Sequence, residues 1–228
     1  MWTAVPVALS AQPASVNLAE ICSRRYLKES VRIGQYLFQS YSDDDLGACL
    51  QVLRNSEVAF RRTLDTPVGY SLGQAAAPQF GIPAVPNGAD ITGRGLPDMI
   101  VSFTTGGAHC CSFHYLFELG SKLKLLATLS DEDDDLAHFA KLGTDKRYYY
   151  ITADWTFAYW PGSFASSPSH AVVLRWVESK AGGSYQLALD KMRHPAPTPA
   201  IWAKDLKAVR RAAAKGGGAR GDDCNFVG

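Results

Sequence analysis

An Asp/Gly-rich segment, DITGRGLPD, runs over residues 90–98 and is called the acid–glycine loop below. Polar side chains at alternate positions, glycines between them and a closing carboxylate are what a chain needs to wrap oxygens around a hard cation. An apolar run over residues 99–103, a Thr-Thr-Gly-Gly turn and a second long apolar run follow directly. Because a tight turn between two β-prone runs is typical of a hairpin, the loop is expected to lead into one.

Four side chains of the kind that bind metals, His109, Cys110, Cys111 and His114, lie within the next hairpin. Side chains alternate along a strand, so one tetrahedral site would need a bulge to collect all four. A strained disulfide between the adjacent cysteines and simple packing of half-buried thiols are the alternatives. A thiol-dependent or hydrolytic enzyme centred on His109, Cys110 and Cys111 is the catalytic alternative, although no strand-turn-helix nucleophile elbow accompanies these residues.

The densest group of aromatic residues lies in DWTFAYWPGSF, residues 154–164, called the aromatic loop below. Its rings either fill the space between two sheets or stack on the faces of a sugar or a peptide partner. The second interpretation makes Trp155, Phe157, Tyr159 and Trp160 the predicted ligand-binding residues. The partner is then an unidentified carbohydrate or protein.

Length and charge limit the class of protein. A chain of 228 residues is long enough to bury a sizeable core. Its formal net charge of +1 supplies no global field for nucleic acid or for anionic lipid, although residues 204–220 are mostly basic. No apolar run approaches the length of a membrane span.

The N-terminal sequence and the cysteines bear on the compartment. The apolar, small-residue-rich start MWTAVPVALSAQPAS is either the remnant of a secretory signal or a disordered lead-in. Five cysteines are an odd number, and Cys22 and Cys49, which flank the first strand region, are candidates to pair. We expect an exported protein, periplasmic or secreted.

Most of the chain has the β-prone composition and the turn signals of an antiparallel sheet protein. A short helix is predicted over residues 17–28, and Asn55-Ser56 is predicted to form a tight turn. An amphipathic helix is predicted over residues 200–215. The predicted strands cover residues 31–41, 47–53, 58–64, 99–104, 109–119, 122–129, 147–152, 170–177 and 184–189.

One internal similarity suggests repetition. The segment KLGTDKR followed by YYYI, from residue 141, can be laid on ITGRGLP followed by DMIV, from residue 91. The offset of about fifty residues is within the range of β-propeller blades.

This loop-plus-strand unit resembles the FG-GAP/VCBS-type repeat of integrin-like β-propellers. With GGAHCC and DWTFAYW, residues 90–192 are similar to bacterial exported VCBS-repeat-containing proteins, mostly of unknown function. The resemblance implies calcium binding in the loop and a role in adhesion or ligand binding. The implied ligand positions are Asp90, Thr92, Arg94, the carbonyl of Leu96, and Asp98. Arg94 departs from the family pattern because a guanidinium cannot coordinate a cation, so Arg94 is expected to lie between Asp90 and Asp98 as a salt bridge unless calcium binds.

Together these observations predict an all-β protein of about nine or ten strands in two antiparallel blade-like meanders. The meanders are expected to pack as a sandwich or an incomplete propeller, with a C-terminal helix. The predicted parts are an N-terminal segment (1–28), a β domain (29–195) and a helix with a flexible tail (196–228). The predicted function is a non-catalytic binding or structural module, with Asp90, Thr92 and Asp98 as the metal residues if calcium binds.

Overall fold

Three four-stranded antiparallel sheets make up most of the fold. The computed structural model describes residues 22–65, 68–107, 110–132, 136–159, 164, 167, 169–180, 182–193 and 198–214. In each sheet, strands that follow one another in the chain are neighbours. The first sheet contains β1 (Tyr26–Ile33), β2 (Tyr36–Asp43), β3 (Gly47–Arg54) and β4 (Glu57–Leu64). The second contains β5 (Ser71–Leu72), β6 (Asp98–Gly107), β7 (Cys110–Leu119) and β8 (Leu123–Glu132). The third contains β9 (His138–Lys141), β10 (Tyr148–Asp154), β11 (His170–Ser179) and β12 (Gly182–Leu187).

The all-β class is confirmed, but the prediction of two meanders is wrong because the N-terminal strands form a sheet of their own. The strand predicted over residues 31–41 is two strands, since the chain turns at Gly34 with a φ of 55°. The predicted N-terminal helix is also wrong from Tyr26 onward, where β1 begins. Pairing with β2 decides the conformation there, and such tertiary pairing overrides weak local helical spacing.

The predicted turn at Asn55-Ser56 is confirmed. These two residues join β3 to β4 with φ values of 51° and 71°. Positive φ at both central residues defines the type I′ turn, whose twist matches that of the flanking strands.

The second sheet buries both of its faces. On one face Met99, Val101 and Phe103 belong to a buried cluster with residues of the first sheet such as Phe38 and Leu50. On the other face, residues of β6 and β7 form a second cluster with residues of the third sheet, among them Ile100, Leu116, Phe139 and Tyr150. This explains why β6 is apolar on both faces from Met99 to Phe103 except at Ser102, since a strand buried on both faces has no solvent-facing side.

Two helical segments follow the third sheet. The short α1 (Leu189–Met192) contributes Met192 to a small cluster with Tyr149 and Val173 of the third sheet. The predicted C-terminal helix is confirmed as α2 (Pro199–Ala214). Neither helix of the described chain has the length and apolar composition needed to cross a membrane. The predicted cysteine pair is also confirmed, since Cys22 and Cys49 form a disulfide.

Candidate functional site

The acid–glycine loop is closed by Asp98, the first residue of β6. Its Oδ2 accepts hydrogen bonds from the backbone N–H groups of Ile91 and Thr92, both at 2.9 Å. The same oxygen accepts the Thr92 hydroxyl at 3.1 Å. One carboxylate oxygen therefore collects three donors from the start of the loop and holds it against β6.

The second oxygen of Asp98 lies in a different environment. Oδ1 is buried and has no hydrogen-bond partner among the described residues, as is also true of the hydroxyl of Tyr185 in the third sheet. Burial raises the pKa of Asp98 to about 6, against the lowering effect of the bonds from Thr92 and Ile91. Burial, and next the charge of Asp98, raise the pKa of Tyr185. The charge of Asp98 therefore disfavours the ionised form of Tyr185 across the interface between the second and third sheets.

Asp90 organises the middle of the same loop. Its Oδ1 accepts the N–H of Arg94 at 2.9 Å, and its Oδ2 accepts the N–H of Gly95 at 2.8 Å. Gly93 and Gly95 have φ values of 76° and 78°, a left-handed conformation that glycine adopts without steric cost. The alternating glycines thus turn the loop amides towards the carboxylate.

The expectation that Arg94 lies between Asp90 and Asp98 is wrong. Its Nη1 lies 2.8 Å from Oε2 of Glu118 in β7, and its Nε lies 2.7 Å from Oε1 of Glu178 in β11. The Glu118 side chain is only 1% exposed, and its other oxygen is 2.8 Å from Lys124 Nζ. The buried carboxylate of Glu118 needs a compensating positive charge, and Arg94 supplies it. The loop carboxylates of Asp90 and Asp98 need it less, because they already accept amide hydrogen bonds.

These contacts bear on calcium at Asp90, Thr92 and Asp98. Both oxygens of Asp90 and one of Asp98 already accept N–H donors of the loop, whereas Ca²⁺ requires six to eight oxygen ligands. Among the described residues, no group of three or more His, Cys, Asp or Glu side chains is arranged to hold a metal ion. An ion would have to displace the amides, so this donor set fits calcium poorly as it stands. The calcium site stays a prediction.

A cleft of about 590 Å³ lies between the acid–glycine loop and the loop that precedes β10. Asp90 and Gly93 line one side, and Lys141, Lys146 and Arg147 line the other. The two loops touch, because a Cβ added to Gly93 would lie 3.0 Å from Cγ of Arg147. They are the two segments that are similar in sequence, and each leads into the second strand of its sheet.

The described part of the aromatic loop is a braced turn. Asp154 Oδ1 accepts the N–H of Thr156 at 2.9 Å and its hydroxyl at 2.5 Å, and these bonds lower the pKa of Asp154. The N–H of Ala158 donates to the carbonyl of Trp155 at 2.8 Å. The ring of Trp155 stacks on that of Phe164 with centroids 4.6 Å apart and planes 20° from parallel.

Two aromatic side chains of this turn face solvent. Phe157 is 47% exposed and Tyr159 is 60% exposed. Tyr159 has a φ of 63°, and its N–H donates to Ser167 Oγ at 2.7 Å. The rings of Trp155 and Tyr159 both contact that of Phe164, and Phe157 lies in the same turn, while Trp160 lies outside the described residues. Ligand binding by these residues stays a prediction.

A polar cleft of about 360 Å³ adjoins the aromatic loop. It is lined by Ser130 and Asp131 at the end of β8 and by residues 153–156 after β10. Asp154, Thr156 and Trp155 thus border this space together, whereas the Asp131 side chain is only 3% exposed and its oxygens contact Tyr150 and His114. Hydroxyl-rich molecules hydrogen-bond to carboxylates and stack their apolar faces on aromatic rings.

A network of polar side chains that was not predicted from the sequence lies behind this cleft. Ser102 Oγ lies 2.7 Å from His114 Nδ1, and His114 Nε2 lies 2.9 Å from Asp131 Oδ2 without the alignment of a hydrogen bond. The hydroxyl of Tyr150 donates to the other oxygen of Asp131. The network joins the second sheet to the third. The register of β6 and β7 places Ser102 opposite His114, so strand register is the signal that predicts the contact between these two residues.

The Ser-His-Asp order of this network occurs in hydrolases, but its setting here differs from theirs. Ser102 lies within β6, paired on both sides by β5 and β7, and not on a sharp strand-to-helix turn. We therefore interpret the network as a structural arrangement of buried polar groups, in which every contact except that of His114 Nε2 is a hydrogen bond.

The residues of the predicted thiol or hydrolytic enzyme lie largely outside the described part of the chain. His109 and the side chains of Cys110 and Cys111 are not among the described parts of the chain. The backbone there pairs Gly107 with Cys110 after an irregularity that begins at Thr104. The thiol-enzyme alternative therefore stays a prediction.

Fold and candidate site together define an all-β protein of three consecutive four-stranded meanders with an exposed aromatic turn beside a polar cleft. No known protein family, curated protein or solved structure matches the chain.

Proposed function

We propose that this protein is a non-catalytic, exported binding module that recognises a carbohydrate through its aromatic loop. The observation that carries the proposal is the conformation of Tyr159. A non-glycine residue with a φ of 63° is uncommon and costs about 1–3 kcal/mol, yet here the conformation holds a ring that is 60% exposed. Such strain is concentrated at ligand-binding positions.

The surroundings of Tyr159 support a preformed site. The Asp154 cap, the Trp155–Phe164 stack and the Ser167 hydrogen bond fix the turn before any ligand arrives. A rigid turn loses little conformational entropy on binding, which favours affinity. The exposed carboxylate of Asp154 and the Thr156 hydroxyl are suited to the hydroxyl groups of a sugar, while the rings are suited to its apolar face.

The three sheets are then the blades of an incomplete propeller. Two things support this arrangement: each sheet is a meander in chain order, and the middle sheet shares a core cluster with each neighbour. In this proposal the acid–glycine loop is an FG-GAP-like structural loop that holds the second blade to the third. The Cys22–Cys49 disulfide supports an exported location, because disulfides persist in oxidising compartments.

The test is a titration of tryptophan fluorescence with a panel of soluble oligosaccharides. We expect quenching by at least one of them and a loss of affinity of about tenfold or more in Tyr159→Ala and Phe157→Ala, since stacked rings dominate such sites. Phe80→Ala is the matched control, because Phe80 is a similarly exposed ring at the end of the short 3-10 helix Pro78–Phe80. Equal affinities in all three variants, or binding of peptides alone, would contradict the carbohydrate proposal.

A further inference from the structure

Every described side chain of α2 is exposed, although the helix is amphipathic. Ile201, Trp202 and Leu206 are 49%, 56% and 48% exposed, and none of them belongs to the three core clusters. An amphipathic helix of a globular protein normally buries its apolar stripe against a core. In this structure the stripe of α2 is presented to the outside.

The basic residues of α2 lie on the other side of the helix, whereas the one acidic residue, Asp205, occupies a position within the apolar arc. At about 100° per residue, Ile201, Trp202 and Leu206 fall within an arc of about 140°. Lys204, Lys207, Arg210 and Arg211, all exposed, fall within an arc of about 120° on the opposite side. Lys204 and Arg210 therefore lie at the two borders of the apolar arc, each next to a large apolar residue.

We infer that α2 is a surface-binding helix that docks on an anionic lipid bilayer, with its axis parallel to the membrane plane. The apolar arc enters the boundary between headgroups and acyl chains, where an indole such as that of Trp202 is favoured. The cations at the borders extend their apolar stems along that boundary and place their charges at the lipid phosphates. The complementarity of charge is local to this helix, because the whole chain has a net charge of only +1.

Other partners fit this helix less well. A nucleic acid would use the basic arc and leave Ile201, Trp202 and Leu206 exposed. A second copy of α2, packed through the same apolar arc, would leave the basic arcs of both copies without an anionic partner. An anionic bilayer accommodates the three large apolar residues and the four cations together.

The experiment is co-sedimentation of the full-length protein with vesicles. One set consists of phosphatidylcholine alone and the other contains about one quarter phosphatidylglycerol. We expect at least about tenfold more protein on the anionic vesicles at about 0.15 M salt, and a strong decrease at about 1 M. A blue shift of the emission on binding should be lost in Trp202→Phe, which tests whether this indole enters the bilayer.

Two pairs of substitutions distinguish binding through α2 from nonspecific adsorption by other exposed apolar residues. Ile201→Asn with Leu206→Asn removes apolar surface without changing charge, and should abolish binding to the anionic vesicles. Leu125→Asn with Leu187→Asn, at similarly exposed positions of β8 and β12, should leave it unchanged. Circular dichroism and a thermal melt check that all variants fold.

Three results would overturn the inference: equal sedimentation with both vesicle types, no sedimentation with either, or equal binding by the two double variants. A second copy would be the partner of the apolar arc if the protein dimerises with rising concentration and the double variant Ile201→Asn with Leu206→Asn does not. None of these results depends on the sugar site, since oligosaccharide binding is measured without lipid.

Discussion

Arg94 Nη1 lies 2.8 Å from Oε2 of Glu118, so the residue that departs from the cation-loop pattern neutralises a buried carboxylate on the neighbouring strand. The contact is an ion pair and not an aligned hydrogen bond. Through its Nε, Arg94 also contacts Glu178, which accepts the indole N–H of Trp176 at 2.8 Å. One guanidinium therefore ties the acid–glycine loop to both the second and the third sheet.

Removing this guanidinium should destabilise the fold. Arg94→Met leaves Glu118 buried with Lys124 as its remaining cationic partner, and we expect a loss of about 2–4 kcal/mol in the free energy of unfolding. Urea denaturation measures it. The double variant Arg94→Met with Glu118→Gln should recover part of the loss, because the uncompensated charge is gone. A single variant within about 0.5 kcal/mol of the wild type would show that Glu118 does not need Arg94.

Asp98 should make stability fall as pH rises from about 4 to about 6. Its pKa is raised from 3.8 to about 6, so in this window the folded state holds a proton that the unfolded state has released. The penalty is absent below pH 4, where both states are protonated. Above pH 6 the loss in the free energy of unfolding is about 3 kcal/mol, which follows from the rise in the pKa of Asp98 from 3.8 to about 6. The negative charge of Asp90 raises the pKa of Asp98 further.

Comparison with Asp98→Asn isolates this effect from other titrating groups. The variant has weaker hydrogen bonds at every pH. From pH 4 to pH 7, however, the unfolding free energy of the wild type should fall relative to that of the variant, because only the wild type has the carboxylate. Chemical denaturation across that range measures the difference. A difference independent of pH would rule out the raised pKa.

Gly93 and Gly95 form a matched pair of positions. Both have left-handed φ values, but a Cβ at Gly93 would lie 3.0 Å from Arg147 Cγ, whereas nothing lies within 4 Å of one at Gly95. Gly95→Ala should cost about 1 kcal/mol for the backbone alone, and Gly93→Ala should cost more because Arg147 must also move. Parallel denaturation curves measure both. Equal costs would mean that the contact between the two loops is not tight in solution.

Calcium should leave the melting temperature unchanged if the loop amides keep the oxygens of Asp90 and Asp98. A ligand of the native state at 100 times its dissociation constant stabilises by about 2.7 kcal/mol. For a domain of this size that corresponds to a rise of about 5–10 °C. Melts with millimolar calcium and with chelator measure it, and Asp90→Asn is the control. A rise that Asp90→Asn removes would establish the calcium site that the resemblance implies.

Local sequence patterns predicted the elements whose conformation depends on near neighbours. The Asn55-Ser56 turn, the hairpin of β6 and β7, the hairpin of β11 and β12, and α2 all follow from turn chemistry or periodicity over a few residues. The aromatic loop was identified in the same way, because its rings are close in the chain. The division into three sheets was not predicted, since a single turn at Gly34 separates β1 from β2 inside a segment predicted as one strand.

By itself, the sequence determined an all-β chain with a closing Asp98, a basic amphipathic C-terminal helix and a dense aromatic turn. Only the tertiary structure decided that Arg94 binds Glu118 and Glu178 and that Ser102, His114, Asp131 and Tyr150 meet. The physical reason is that periodicity reports which face of a strand is apolar, but not which other sheet covers that face. Partners of buried charges come from that covering sheet, and its identity depends on the packing of the whole chain.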